Sequence, residues 1–167
     1  MYLIVTKTFP PEIGGMQNLM WGLSNELSKN FMIKVFADYH EDHKAFDQQV
    51  SFSIERVGGI KLLRKYRKAQ LVNEFIKENK IEGIIADHWK SLELLKTSKK
   101  KICLIHGKEI NHEKGTSLNK RVLEVLNNVQ TIVANSEYTK DLAISLGVHQ
   151  DKIVVINPGV NQVQELD

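Results

Sequence analysis

Residues 1–27, MYLIVTKTFPPEIGGMQNLMWGLSNEL, carry the reading that decides the fold. Tyr2–Thr6 is a short apolar run bounded by polar residues and turn formers, the pattern of a buried strand. Met16, Leu19, Met20, Leu23 and Leu27 then recur at helical spacing. Pro10-Pro11 and Gly14-Gly15 separate the two, since neither pair suits the interior of either element. The unit is strand, loop, helix. It repeats along the chain: further strand-like runs are expected at Ile33–Ala37, Val50–Val57, Ile81–Ala86, Ile102–Ile105, Val129–Ala134 and Ile153–Ile156. Because these runs are mostly apolar throughout, they are expected to be buried on both faces. The predicted architecture is α/β, a doubly wound parallel sheet of Rossmann-like type, whose ligands bind where strands end. The polar stretch Asp38–Gln49 is the longest expected loop and the expected mobile one.

The chain's 167 residues, 42% of them hydrophobic, suffice for one such domain with its own core and leave no room for a second of similar size. A formal net charge of +3 is too mild to imply nucleic acid, and the basic runs lack the interleaved aromatics of a single-strand platform. Cys103, alone in the apolar run KKICLIH, cannot form an internal disulfide and reads as a core side chain in a reducing compartment, so the expected location is cytoplasmic. MYLIVT lacks the length and basic lead of a signal peptide, and no apolar run approaches the roughly 20 residues of a spanning helix.

Three features can carry chemistry. Gly14 and Gly15 let the backbone and a helix amino terminus approach a phosphate closely, or they serve only a tight turn; both readings are open. The loop lacks G-x-G-x-x-G, so nicotinamide binding is disfavoured even though Asp38 lies near the position of a ribose-binding acid. His88 and His106 each follow an apolar strand directly, where ligands bind. A structural bond to a neighbouring carbonyl is the other reading of His88, and Trp89 is either core or a sugar-stacking face. Asn135 and Ser136 end the sixth strand, where Ser136 suits a helix cap for a helix running to Leu146 and closed by Gly147. The remaining histidines, His40, His43, His112 and His149, have no metal-like spacing, and no metal site is predicted.

Lys61, Arg64, Lys65 and Lys68 recur at i, i+3, i+4 and i+7 beside an apolar seam of Leu62, Tyr66, Ala69, Val72 and Ile76, on a helix running to Asn79. Arg67 adds charge, and KTSKKK at 96–101 can join the same patch. The stripe reads either as a solvated face or as a peripheral contact with anionic lipid at the inner face of a cell membrane.

FPPEIGGMQNLMWGLSNEL at 9–27 resembles the opening of glycosyltransferase family 4, whose GT-B enzymes begin with a strand, FPP-x-x-GG-x-(E/Q) and a helix. IVANSEYTKDLAISLGVHQDKIVVINPGV at 132–160 is similar to the segment closing that family's first domain, and the His106-Gly107 pair falls between the two in the expected order. The resemblance implies an amino-terminal, acceptor-side domain over 1–157, the start of a linker at 158–167, and a separate donor-binding domain not contained in this chain. It implies an intact enzyme that transfers a sugar from a nucleotide diphosphate sugar to a hydroxyl of a glycan or lipid-linked acceptor, with retention of configuration and with no required metal or other cofactor. Gly14 and Gly15 would lie by the donor diphosphate, and His106 by the donor sugar, orienting the reacting groups. Gln17, His88, Trp89, Gly107, Lys108, Glu109, Asn135 and Ser136 would line the acceptor side or the cleft, although charged loop residues such as Lys108 and Glu109 are often simply solvated. Alone, the chain is expected to bind donor poorly and turn over negligibly. The alternative is a non-catalytic binding or regulatory subunit on the same fold, with a nicotinamide-dependent enzyme third.

Overall fold

A computed structural model describes residues 1–159, so the expected linker lies outside the described residues from 160 onward. Seven strands form one sheet: β1 (Tyr2–Val5), β2 (Ile33–Asp38), β3 (Ser53–Val57), β4 (Gly83–Ala86), β5 (Lys100–Ile105), β6 (Thr131–Ala134) and β7 (Ile153–Val155). All adjacent pairs are parallel, in the order β3-β2-β1-β4-β5-β6-β7. The first three strands step outward one way and the next four the other. The switch therefore lies between β1 and β4, and at such a point the loops at the carboxyl ends part to leave a crevice.

Six helices alternate with the strands: α1 (Gly15–Ser28), α2 (His43–Asp47), α3 (Lys61–Glu78), α4 (Trp89–Leu92), α5 (Ser117–Leu126) and α6 (Glu137–Leu146). One face of the sheet carries α3 to α6 over a core that includes Leu3, Phe36, Trp89, Ile105, Leu126 and Ile132. The other carries α1 and α2, with Ile4, Val35 and Met20 packed around Phe9 and Phe52. β4, flanked by β1 and β5, is buried at all four positions, which is why its sequence GIIA shows no alternation. Cys103 is buried and its thiol is pushed well above its ordinary range by desolvation.

Two expectations are corrected. The stretch 38–49 is not a continuous loop: it holds α2, anchored by Phe46 against the second core and by Asp47, which accepts from Arg56 Nη2 at 2.6 Å. Its polar sequence conceals a single apolar anchor. The seam of α3 is also shorter than its periodicity implies. Ala69 and Val72 are buried, whereas Leu62 is 81% and Tyr66 52% exposed. An 18-residue helix runs about 27 Å while a five-residue strand covers about 17 Å, so the first turns of α3 overhang the sheet. Among the described residues no helix is long and apolar enough to cross a membrane.

Candidate functional site

At the switch point the loop after β1 is held to the end of β4 by Asp87. This carboxylate, buried at 4% exposure, accepts from the Thr6 hydroxyl at 2.7 Å, the Lys7 amide at 3.2 Å and the Ser91 hydroxyl at 3.0 Å. Burial pushes its pKa above the usual carboxylate range, against the opposing pull of these donors and of nearby Lys68. On the other side of the loop, Lys68 reaches the Thr6 carbonyl at 2.5 Å and Asp38 at 2.5 Å. Arg64 also contacts Asp38, at 3.3 Å. The ends of β1, β2 and β4 are thus tied by two carboxylates and one buried ammonium.

This network answers several expectations. Asp38, the residue near a ribose-binding position, is engaged by Lys68 and Arg64. Lys68 is 6% exposed and Arg64 turns inward, so neither belongs to a lipid-facing stripe; the Asp38 carboxylate and the Thr6 carbonyl pair the buried ammonium, as a charge withdrawn from solvent requires. KTSKKK at 96–101 leads into β5 at the opposite end of the sheet from the amino end of α3 and shares no patch with it. Asp87 was not anticipated, yet an acid set directly behind the apolar run IIA is a signal that could have found it.

His88 caps α4, its Nδ1 accepting the Lys90 amide at 3.0 Å. Burial, with Lys90 and Lys7 nearby, lowers its pKa to about 4, so the ring is neutral near pH 7. Trp89 is fully buried, and its Nε1 donates to the Glu109 carbonyl at 2.9 Å. The stacking reading of Trp89 is therefore corrected: the indole belongs to the core and secures the loop after β5.

That loop begins at His106, whose amide donates to the Glu109 carboxylate at 2.6 Å. Glu109 is thus turned onto its own loop rather than outward, while Lys108 is exposed. Gly107, with φ at 101°, takes a backbone conformation that L side chains rarely adopt and sits against the Thr139 hydroxyl. Ser136 caps α6 by accepting the Thr139 amide at 3.2 Å, and Gly147 closes the helix with φ at 110°. Asn135 accepts from the Thr139 hydroxyl at 2.7 Å and, like His106, borders a groove of about 360 Å³. Apolar side chains of α1, β4, β5 and β6, including Leu23, Ile85, Leu104 and Val133, form its walls. The His106 Nε2 is buried, with no hydrogen-bond partner among the described residues. Such an atom costs free energy unless a ligand or water engages it.

Helix α1, whose Leu19, Leu23 and Leu27 line the groove, starts at Gly15 with Gly14 as its cap residue and, among the described residues, no side chain bonding its leading amides. A Cβ on Gly14 would collide with the Gln17 amide, which is folded back against it, while one on Gly15 would meet open space. A side chain at Gly14 would have to displace the flexible end of Gln17, whereas one at Gly15 would displace nothing. Among the described residues no group of three or more His, Cys, Asp or Glu side chains could hold a metal ion.

The family model for glycosyltransferase family 4 matches residues 13–163, nearly the whole chain. This chain belongs to glycosyltransferase family 4. Its fold is similar to that of HepE from Anabaena, solved in complex with UDP, at 16% identity and a TM-score of 0.71, covering 96% of this chain and 44% of that one. It is also similar to sucrose-phosphate synthase from Thermosynechococcus elongatus, at 12% identity and a TM-score of 0.76, covering 96% and 48%. A UDP-N-acetylglucosamine 2-epimerase from Rickettsia bellii shares the fold at 8% identity and a TM-score of 0.68, covering 92% and 43%. The family 4 chain therefore spans less than half the length of these proteins. It matches no curated protein sequence. The epimerase shows that fold alone does not separate sugar transfer from other chemistry on nucleotide sugars.

Proposed function

We propose that this chain is the acceptor-side half of a retaining glycosyltransferase that moves a sugar from a nucleotide diphosphate sugar to a hydroxyl acceptor. The observation that carries the reading is His106, which lines the same groove as Asn135 at the carboxyl ends of adjacent strands and whose buried Nε2 has no hydrogen-bond partner among the described residues. Such a nitrogen can bond a sugar hydroxyl and so fix donor and acceptor relative to one another. The uncapped amides at the start of α1 supply positive potential for charge developing on a departing diphosphate. HepE structures holding UDP, UDP-glucose, and UDP with glucose support a nucleotide sugar as donor class. The acceptor is read as a glycan or a lipid-linked sugar, and a second, donor-binding half completes the site.

The test is to incubate the intact protein with a UDP-sugar and a hydroxyl acceptor and to read the anomeric configuration of the new bond by NMR at early times. The reading expects the donor's configuration in the product, together with release of UDP. An inverted product would reject retention. A rearranged free sugar without any transfer would reject glycosyl transfer itself.

A further inference from the structure

The loop between β1 and α1 is exposed at Glu12 and Ile13, yet its first residues are held from the other side of the sheet's rim. Phe9 is buried in the second core, packed edge-on to Phe46 and Phe52 with ring centres 6.1 and 6.4 Å away. One residue later, the Pro10 carbonyl accepts from Arg56 Nη2 at 2.5 Å. Among the described residues, Arg56 is the only side chain that hydrogen-bonds any of residues 9–13. It stands next to last on β3, its side chain 5% exposed and its guanidinium carbon 5.6 Å from the centre of the Phe9 ring. Asp47 of α2 fixes the fork, accepting from Nε at 3.1 Å and from Nη2 at 2.6 Å. The third nitrogen, Nη1, is buried without a partner among the described residues. Replacing a buried ion pair by apolar side chains of similar volume is often neutral or stabilising, so packing alone does not account for a guanidinium here. What the arginine adds is a rigid donor on the Pro10 carbonyl, oriented by the Asp47 carboxylate.

From this geometry we infer that Arg56 is a positioning residue for a nucleotide's diphosphate, acting through the Pro10 carbonyl on the lead-in to α1. The inference rests on the proposed place of the diphosphate at the leading amides of that helix. Only Pro11, Glu12, Ile13 and Gly14 lie between the anchored carbonyl and the first helical residue, Gly15. So short a tether limits how far the cap residue can shift. Downstream, Met20 seats α1 in the second core, and Arg56 supplies the upstream hold. With both ends fixed, the amides are ordered before a ligand arrives, and binding does not have to order them. Arg56 itself does not meet the phosphates: its side chain is buried and its charge is paired with Asp47, so its loss acts through the loop.

The test measures the dissociation constants of UDP, GDP and ADP, and of the nucleoside belonging to whichever binds, for the intact protein and for Arg56→Met. The nucleoside has no phosphate to meet the amides, so it reports any general loosening of the site. Arg56→Met is expected to weaken the nucleotide about tenfold and to leave the nucleoside within about twofold of its original affinity. Because that change strands the Asp47 carboxylate, the pair Arg56→Met with Asp47→Leu, which removes both charges, is measured beside it and is expected to show the same selective loss. Circular dichroism checks that both variants fold. Equal losses for nucleotide and nucleoside, an unchanged nucleotide affinity, or no binding of any of the three nucleotides would overturn the inference. Sugar transfer assayed on the same samples separates it from the reading it rests on. A selective loss in a protein that transfers no sugar would keep Arg56 in this role and reject the transfer, whereas transfer with unchanged nucleotide affinity in the variants would do the reverse.

Discussion

The two halves of the rim at the carboxyl ends of the strands differ in how they treat polar atoms. On the β1-β4 side, both Asp87 oxygens and the Lys68 ammonium have partners, and three strand ends are drawn together. On the β5-β6 side, His106 lines an apolar groove and its buried Nε2 has no partner among the described residues. Satisfied networks rigidify a scaffold, whereas an unsatisfied buried atom marks where a ligand completes the structure. The difference separates residues that build the site from the residue proposed to act in it, and substitutions on the two sides should therefore fail in different ways.

The largest effect on stability is expected on the satisfied side. Lys68→Met removes the buried cation bridging Thr6 and Asp38 and should cost about 3 kcal/mol in urea unfolding. A loss below about 1 kcal/mol would mean that Arg64 alone suffices for Asp38 and that the network is looser than its distances imply.

A smaller, pH-dependent effect belongs to His88, which sits between the halves. Its folded pKa is about 4 against an ordinary 6.5, so between these values the unfolded chain binds more protons than the folded one. Stability is then complete above about pH 6.5 and falls as the pH drops towards 4, by on the order of 2 kcal/mol once the ring's partial contact with water is allowed for. His88→Asn keeps an acceptor for the Lys90 amide and should flatten that slope. Asp87, raised by burial, contributes in the opposite sense: its share of stability declines as pH rises through the range above the ordinary carboxylate value. The His88 substitution leaves that component in place, and an unchanged profile would move the titration elsewhere.

The smallest effect concerns Gly15, whose absent side chain faces open space. Gly15→Ala should leave the fold as stable or up to about 0.5–1 kcal/mol more so, measured by thermal unfolding. If the leading amides of α1 approach the donor diphosphate, the same change raises the KM for the nucleotide sugar in the intact protein. Unchanged KM would leave Gly14-Gly15 as a turn and nothing more.

These contrasts also show what one sequence can reveal. Strand positions were legible because burial on both faces leaves a continuous apolar run, as in Ile84-Ile85-Ala86. The place of His106 at a strand end was legible because it directly follows such a run. Trp89 was not, since an indole beside a strand end looks the same whether it faces a sugar or the Glu109 carbonyl. Lys68 shares its helical spacing with Lys61 and Lys65, and only the sheet end beneath it, with Asp38 and the Thr6 carbonyl, decides that it turns inward. Leu62 fits the seam of Ala69 and Val72 by period, but periodicity does not record where the sheet stops.

The most direct test of the central claim pairs stability with turnover for His106→Ala in the intact protein. Because Nε2 has no partner among the described residues to lose, unfolding free energy should change by no more than about 1 kcal/mol, while sugar transfer should fall about 100-fold. Turnover left at the original rate would contradict the account, and so would a stability loss large enough to explain the whole loss of activity.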